Sequence, residues 1–433
     1  MGMEIKPVTA VIVGGGHRSI IYGDYAHTHP DELKIVGIAD PNPERRNMAR
    51  ARYGFSEDCC FEDAAALARA PKMADAVING TMDHQHFETA APLLRMGYDM
   101  LLEKPFAVNA DEMKRLSSII RESGSKVMIC HVLRYTPFYL SIKERVANGE
   151  LGDIISIQTV EHVSYHHLST SYVRGKWANS KKCKTSMLLA KSCHDIDIMM
   201  WMMQPTRPAA VSSFGSLMQF RPENAPKNAG TRCTQDCPLV DTCRYSAKRL
   251  YLDHPTHWIC YVWSSIEGIV NPTDSDRARS FSEGNPYDRC IYKCDNDVVD
   301  HQSVLVNVEN GATGTHNMIG GSAKSQRTIH IVGTMGEISG VFEDNRYTVR
   351  MIDPAPDCGY TEETVDLAAD AEGHGGGDDA LTADFVRYVR TGAQSLSCTA
   401  IENSIAGHLT VFLADRSREN GGTAIRFDFS DYL

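Results

Sequence analysis

Val8-Thr9-Ala10-Val11-Ile12-Val13-Gly14-Gly15-Gly16-His17-Arg18-Ser19 decides the fold of this 433-residue chain. Its first six residues are apolar apart from Thr9 and lack polar alternation, as expected of a strand buried on both faces of a parallel sheet. The glycines that follow permit a tight turn, and a helical stretch from Ile20 to about His27 completes a strand–turn–helix unit. In such a unit the first two glycine positions let a dinucleotide pyrophosphate approach the backbone, and the third lets the helix pack on the strand. The spacing puts Gly14 and Gly16 in the first two roles and the small Ser19 in the third.

A second strand, 33–39, ends at Asp40, some twenty-five residues beyond the turn. A carboxylate there suits the adenosine ribose diol and repels a 2′-phosphate, so NAD is expected rather than NADP; Arg45 and Arg46 nearby pull the other way. Helical and strand patterns then alternate: helix 44–53, strand 75–79, helix 86–96, strand 99–102, helix 111–123 and strand 126–130. That alternation predicts a doubly wound parallel sheet.

After about residue 135 the pattern changes to alternating strands at 154–161, 209–220, 303–308, 312–318, 328–332, 336–341 and 347–352, with helices at 192–203, 378–391 and 400–419. The expected architecture is an N-terminal Rossmann NAD-binding domain, 1–135, and a C-terminal α+β domain, 136–433, with a large, mainly antiparallel open sheet. Residues 221–300 hold six of the thirteen cysteines and few periodic runs, and read as an inserted lobe. Cys233, Cys237 and Cys243, with Cys260 as a fourth, could hold a structural zinc, or stand as reduced thiols or a local disulfide. The Asp295–His301 stretch reads as a turn entering a strand, with Asp300 or His301 near the cleft.

Composition narrows the function. A net charge of −11 disfavours nucleic acid and anionic membrane as partners. No apolar run is long enough to span a bilayer, and the N-terminus lacks a signal-peptide pattern, so a cytoplasmic protein with reduced thiols is expected.

The Gly14 turn, Ala39-Asp40-Pro41, Thr81 followed by His86, and Glu103-Lys104-Pro105 resemble the Gfo/Idh/MocA oxidoreductases (glucose-fructose oxidoreductase, inositol dehydrogenase and relatives). Arg134-Tyr135-x-Pro137, His194-Asp195-Ile196-Asp197 and the closing Asp384-Phe385…Arg390-Thr391-Gly392 match as well. The resemblance covers nearly the whole chain outside the lobe. It implies NAD as cofactor, held by Gly14, Gly16, His17, Arg18, Ser19, Asp40, Thr81, His86 and Glu103. It also implies a homo-oligomer, dimer or tetramer, assembled through the C-terminal sheet, and a reaction that needs no metal.

A hydride leaves a carbinol carbon only as its hydroxyl proton is removed, so a base must lie within hydrogen-bond reach of that oxygen. Lys104 and His194 are assigned as the catalytic pair, Lys104 polarising the oxygen and His194 acting as acid/base. Family members usually carry Asp four residues before this histidine; here the stretch is Ala190-Lys191-Ser192-Cys193-His194, and Lys191 is read as a substrate contact or an electrostatic tuner. Tyr165-His166-His167 and Ser171-Tyr172-Val173-Arg174-Gly175-Lys176-Trp177 combine rings, imidazoles and cations suited to a sugar, with Tyr165, His166 and Arg174 as candidate contacts and Arg174 or Lys176 as the partner of an anionic group such as a carboxylate or sulfonate. His301 and His374, the latter in a glycine-rich joint, complete the substrate set.

Three functions follow. The first is oxidation of a secondary ring hydroxyl, at C3, of a sugar, glycoside or cyclitol. The second is a redox-neutral NAD-dependent glycoside hydrolase that oxidises C3, eliminates the aglycone, adds water and reduces the ketone again; Tyr165, His166 or His301 would be its second base. The third, a silent sugar or nucleotide sensor, is opposed by the intact Lys104 and His194.

Overall fold

The computed structural model describes residues 6–254, 261–269, 271–355, 359–367 and 375–432. Six strands form the first sheet: β1 (Val8–Val13), β2 (Leu33–Ala39), β3 (Cys60–Phe61), β4 (Ala76–Asn79), β5 (Asp99–Leu102) and β6 (Val127–Ile129). Their order is β3-β2-β1-β4-β5-β6 and every pair is parallel, the doubly wound Rossmann arrangement. The strand order reverses between β1 and β4, so the crevice beyond their carboxyl ends, at Gly14 and Gly80, is where such a sheet binds its ligand.

Local chemistry sets the helix ends. Asn42 accepts from the Glu44 N–H at 2.9 Å to start the helix Pro43–Tyr53, which Gly54 ends at φ 76°. Asn109 and Gly124 do the same for the helix Ala110–Ser123.

The second sheet has nine strands: β7 (Ile154–Ser164), β8 (Pro208–Ser216), β9 (His301–Val308), β10 (Thr313–Ser322), β11 (Gln326–Gly333), β12 (Gly336–Val341), β13 (Arg346–Ile352), β14 (Tyr360–Asp366) and β15 (Ile425–Arg426). The order is β14-β13-β12-β11-β7-β10-β9-β8-β15, antiparallel except where β7 meets β10. The helices Cys193–Met202 and Ile401–Glu419 pack on one face. Alternation leaves Leu305 and Ile319 exposed on the other. β14 escapes sequence reading because its Thr-Glu-Glu-Thr run is exposed on both faces and carries no apolar alternation. The strand expected at 209–220 stops at Ser216, and the helix Pro137–Ala147 was not anticipated.

The described part of the lobe contains no strand and has its own small core of Cys233, Ala247, Leu250, Tyr251, Val262, Phe281 and Tyr287. The late helix Gly377–Thr391 returns to the first sheet, packing Leu381, Phe385 and Val386 with Val8, Ala10, Ile12 and Tyr22. No described helix is long and apolar enough to cross a membrane.

Candidate active site

A cavity of about 510 Å³ opens where the Rossmann strands end against the second domain. Gly16, His17, Arg18, Gly80, Thr81, Glu103 and Lys104 line it from the first domain, and Glu161, His167, Lys191, His194 and Arg327 from the second.

At the nucleotide end, Gly14 has φ +77°, and a Cβ there would stand 2.9 Å from the Thr81 backbone nitrogen. Only glycine meets both conditions. Gly16 precedes the helix His17–Thr28 and a Cβ on it would meet nothing within 4 Å, so the helix N-terminus is open to an anion. Ser19 packs so closely that a Cβ on Gly80 would reach its Oγ at 2.2 Å, which fixes the helix against β4. The buried Asp40 accepts from the Gly15 N–H through Oδ2 and from the Asn42 N–H through Oδ1, both at 2.7 Å. These two bonds orient the carboxylate beside the turn. Glycine cradle, open helix end and oriented carboxylate together fit a dinucleotide.

Other members of the expected cofactor set hold the frame. Arg18 donates to Glu103 at 3.0 Å and to Asp378 at 2.5 Å, tying the turn to the end of β5 and to the helix Gly377–Thr391. Burial would push the Glu103 carboxyl up, but the charges of Arg18 and Lys104 outweigh it and hold the group below its ordinary value. The Thr81 hydroxyl donates to Asn79 Oδ1 at 2.9 Å. His86 is buried away from the cavity wall, bridging the carbonyls of Pro105 (2.7 Å) and Thr81 (3.1 Å). Its contacts are those of a bracket between two wall segments.

Lys104 follows β5, and its Nζ donates to the Ala190 carbonyl at 2.7 Å. Ala190 lies in the π-helical turn Leu188–Ser192, which runs directly into the helix Cys193–Met202 that carries His194. Lys104 and His194 thus face one cavity. Lys191 also lines it, pairing with Glu161 at 2.7 Å. Glu161 further accepts from Ser192 at 2.9 Å and from Arg327, which in turn holds Asp195 at 3.0 Å. Burial works against the Glu161 anion, yet Arg327 and Lys191 keep its carboxyl well below the usual range. Burial and the neighbouring Glu161 charge push Asp195 up, and burial lowers Lys191 against the pull of Glu161. The floor of the site is therefore a charge network of four side chains.

Several expected contacts lie elsewhere. Arg174 is buried inside the lobe, where its guanidinium serves the carbonyls of Arg289 (2.8 Å) and Tyr245 (2.7 Å), so it is not at the cavity. His166 is buried with its Nε2 3.2 Å from the Leu250 carbonyl, and Tyr165 packs against the lobe core; neither lines the cavity. His301 pairs with Asp300 at 2.8 Å on β9, away from the cavity wall. For Arg174, His166 and His301 a nearer backbone or carboxylate partner claims the polar group. His374 lies outside the described residues, next to Gly375, which does line the cavity. Cys260 lies outside them too. Cys233, Cys237 and Cys243 share a small cavity with Cys290 as thiols, and among the described residues no three metal-binding groups come together.

The quoted run reaches the cavity through Lys176, the alternative to Arg174, and through His167, Tyr172 and Trp177. Trp177 Nε1 donates to Asp83 at 2.8 Å, and Lys176 Nζ sits 4.3 Å over the Trp177 ring. Glu161 and Arg327 were missed. The signal for Glu161 was present, because it falls in register with Ile157, Thr159 and Val163 on the buried face of β7. Arg327 is its cross-strand partner on β11, which only the pairing reveals.

The description "Oxidoreductase family, NAD-binding Rossmann fold" matches residues 8–131, and "Oxidoreductase family, C-terminal alpha/beta domain" matches residues 143–403. YteT of Bacillus subtilis (strain 168), which bears the name of an oxidoreductase, is 24% identical over 370 residues, 81% of this chain and 82% of that protein. Inositol 2-dehydrogenase of Rubrobacter xylanophilus is 28% identical over 150 residues, 34% of this chain and 42% of that enzyme. A levoglucosan dehydrogenase solved with NADH and levoglucosan superposes with a TM-score of 0.69 at 17% identity, covering 97% of this chain and 99% of that one. An inositol dehydrogenase homolog from Azotobacter vinelandii, solved with NADH and myo-inositol, gives 0.63 at 17% identity over 98% of each chain. With both domain models matched in order over most of its length, the chain belongs to the Gfo/Idh/MocA family of NAD-binding oxidoreductases.

Proposed function

We propose that this protein is an NAD-dependent dehydrogenase acting on a secondary ring hydroxyl of a sugar or cyclitol. The observation that carries the reading is that Lys104 and His194 line the same cavity as the glycine turn. NAD, when bound, supplies the hydride acceptor. In this reading His194 takes the hydroxyl proton, and Lys104 Nζ turns from the Ala190 carbonyl to donate to the substrate oxygen as negative charge develops there. Lys191, Lys176, His167 and Trp177 bind and orient the ring, Trp177 offering a flat apolar face and the cations and imidazole its hydroxyl contacts.

Inositol and levoglucosan dehydrogenases among the similar proteins support the substrate class. The elimination route named Tyr165, His166 or His301 as its second base, and none of these lines the cavity, so simple dehydrogenation is better supported. The test is to supply NAD with cyclitols, free sugars and nitrophenyl glycosides and to measure NADH and phenol separately. Stoichiometric NADH without phenol release supports the reading; phenol release without net NADH contradicts it. Leu305 and Ile319, exposed on the open sheet face, make that face our proposed contact between copies of the chain.

A further inference from the structure

The adenosine end of the cleft has a feature the Rossmann domain alone does not supply. Arg45 is the cation beside Asp40, with Nη1 4.0 Å from Asp40 Oδ2. An arginine at that place is the natural fork for a 2′-phosphate, since guanidinium binds phosphate oxygens in pairs. Here the fork is taken. Glu267, from the inserted lobe, accepts from Arg45 Nε at 3.0 Å and Nη2 at 3.1 Å, and from Asn42 Nδ2 at 3.0 Å. The next residue, Gly268, lies beside the Glu44 carboxylate, with a Cβ there standing 2.8 Å from Glu44 Oε2. Arg46 is engaged as well, donating to the backbone carbonyls of Asp40 (2.6 Å) and Pro41 (3.2 Å).

We infer that Glu267 is a specificity-determining residue, a carboxylate brought from the second domain that closes Arg45 to a 2′-phosphate and so enforces NAD over NADP. A phosphate on the adenosine ribose would meet two carboxylates, Asp40 and Glu267, with both neighbouring arginines already occupied. A ribose hydroxyl meets only an oriented acceptor, Asp40. The inference rests on Asp40 marking the adenosine ribose. It extends that reading by making the choice of cofactor depend on a lobe outside the nucleotide-binding domain.

The experiment is calorimetric titration of NAD and NADP into the full-length protein, wild type, Glu267→Gln and Arg45→Ala/Glu267→Gln. Glu267 is partly exposed and Gln keeps its shape, so the fold should survive, and retained NAD binding verifies it. Freeing a guanidinium for one charge-assisted pair should tighten NADP about ten- to a hundredfold in Glu267→Gln, with NAD changed by less than about threefold. The double variant should lose that gain. An NADP-to-NAD affinity ratio in Glu267→Gln equal to that of the wild type would overturn the inference, as would a gain that persists without Arg45. A wild-type protein that binds neither dinucleotide would overturn the underlying reading of the cleft instead, so the two failures are distinguishable.

Discussion

The Lys104 ammonium donates a 2.7 Å hydrogen bond to the carbonyl of Ala190, four residues before His194. The side chain at position 190 is a methyl group, so the ammonium is met by a neutral backbone oxygen rather than by a carboxylate. The bond ties the end of β5 to the turn that delivers His194, so the backbone holds together the two residues we propose as the catalytic pair. Lys104→Ala should therefore lower hydride transfer by at least about a hundredfold while NAD affinity changes little. Calorimetry and NADH formation measured on the same preparation check the split. Loss of NAD binding would make Lys104 structural.

Asp40, which we propose as the acceptor for the adenosine ribose, already holds two backbone N–H groups. Asp40→Ala should weaken NAD by ~1–3 kcal/mol, and should also lower the stability of the cofactor-free protein because two partly buried donors lose their acceptor. Titration and urea denaturation separate the effects. Unchanged affinity would remove Asp40 from the ribose site.

Glu161 stands between Lys191 and Arg327 with almost no solvent contact. Glu161→Ala should cost about 3–5 kcal/mol of stability, since removing one partner of a buried ion network strands the others. Chemical denaturation measures it. A loss below ~1 kcal/mol would mean the pairs act as surface salt bridges do.

Acid should destabilise the protein through its buried histidines. Burial lowers His131, His167 and His408 well below the ordinary imidazole value, helped by Arg134 at His131, Lys191 at His167 and His131 at His408. Burial takes His316 down to about 4. A histidine depressed in the folded state leaves the unfolded chain binding more protons once pH falls below ~6.5. Stability is therefore full above that pH and falls by up to ~1.4 kcal/mol per pH unit for each such histidine, His316 contributing until about pH 4. Urea midpoints should hold level from pH 8 to about 6.5 and fall from there to pH 5, and a profile level throughout would mean these rings are solvated. Glu103, held low by Arg18 and Lys104 against burial, acts in the same direction at lower pH as it protonates.

The open sheet face predicts self-association. Leu305→Glu should shift the mass measured by light scattering toward the monomer, with the near-ultraviolet dichroism unchanged. A wild-type protein that is monomeric at tens of micromolar would contradict the proposed contact.

Much of this was legible in the sequence, for a physical reason. Strands buried on both faces, such as Val8–Val13, are continuous apolar runs, and a glycine that must sit at φ +77° against Thr81 has no substitute at Gly14. Lys104 was read from the end of a buried strand and His194 from the family resemblance of His194-Asp195-Ile196-Asp197, and both line the cavity. The substrate side was read less well. Arg174 and Lys176 are two residues apart in a run of mixed composition, yet one is buried against the lobe and the other lines the cavity. Only tertiary partners decide that, as they do for Arg327, whose role exists solely through β7 pairing with β11. Glu267 carries no local motif at all; its meaning comes from Arg45, more than two hundred residues earlier.

The most direct test of the central claim is NADH formation by the NAD-loaded protein on a panel of cyclitols and sugars, run in parallel for wild type, Lys104→Ala and His194→Ala. The account predicts one NADH for each substrate molecule oxidised by the wild type, and none above background from either variant although both still bind NAD. Turnover that survives in either variant, or a wild type that binds NAD and oxidises no polyol, would contradict it.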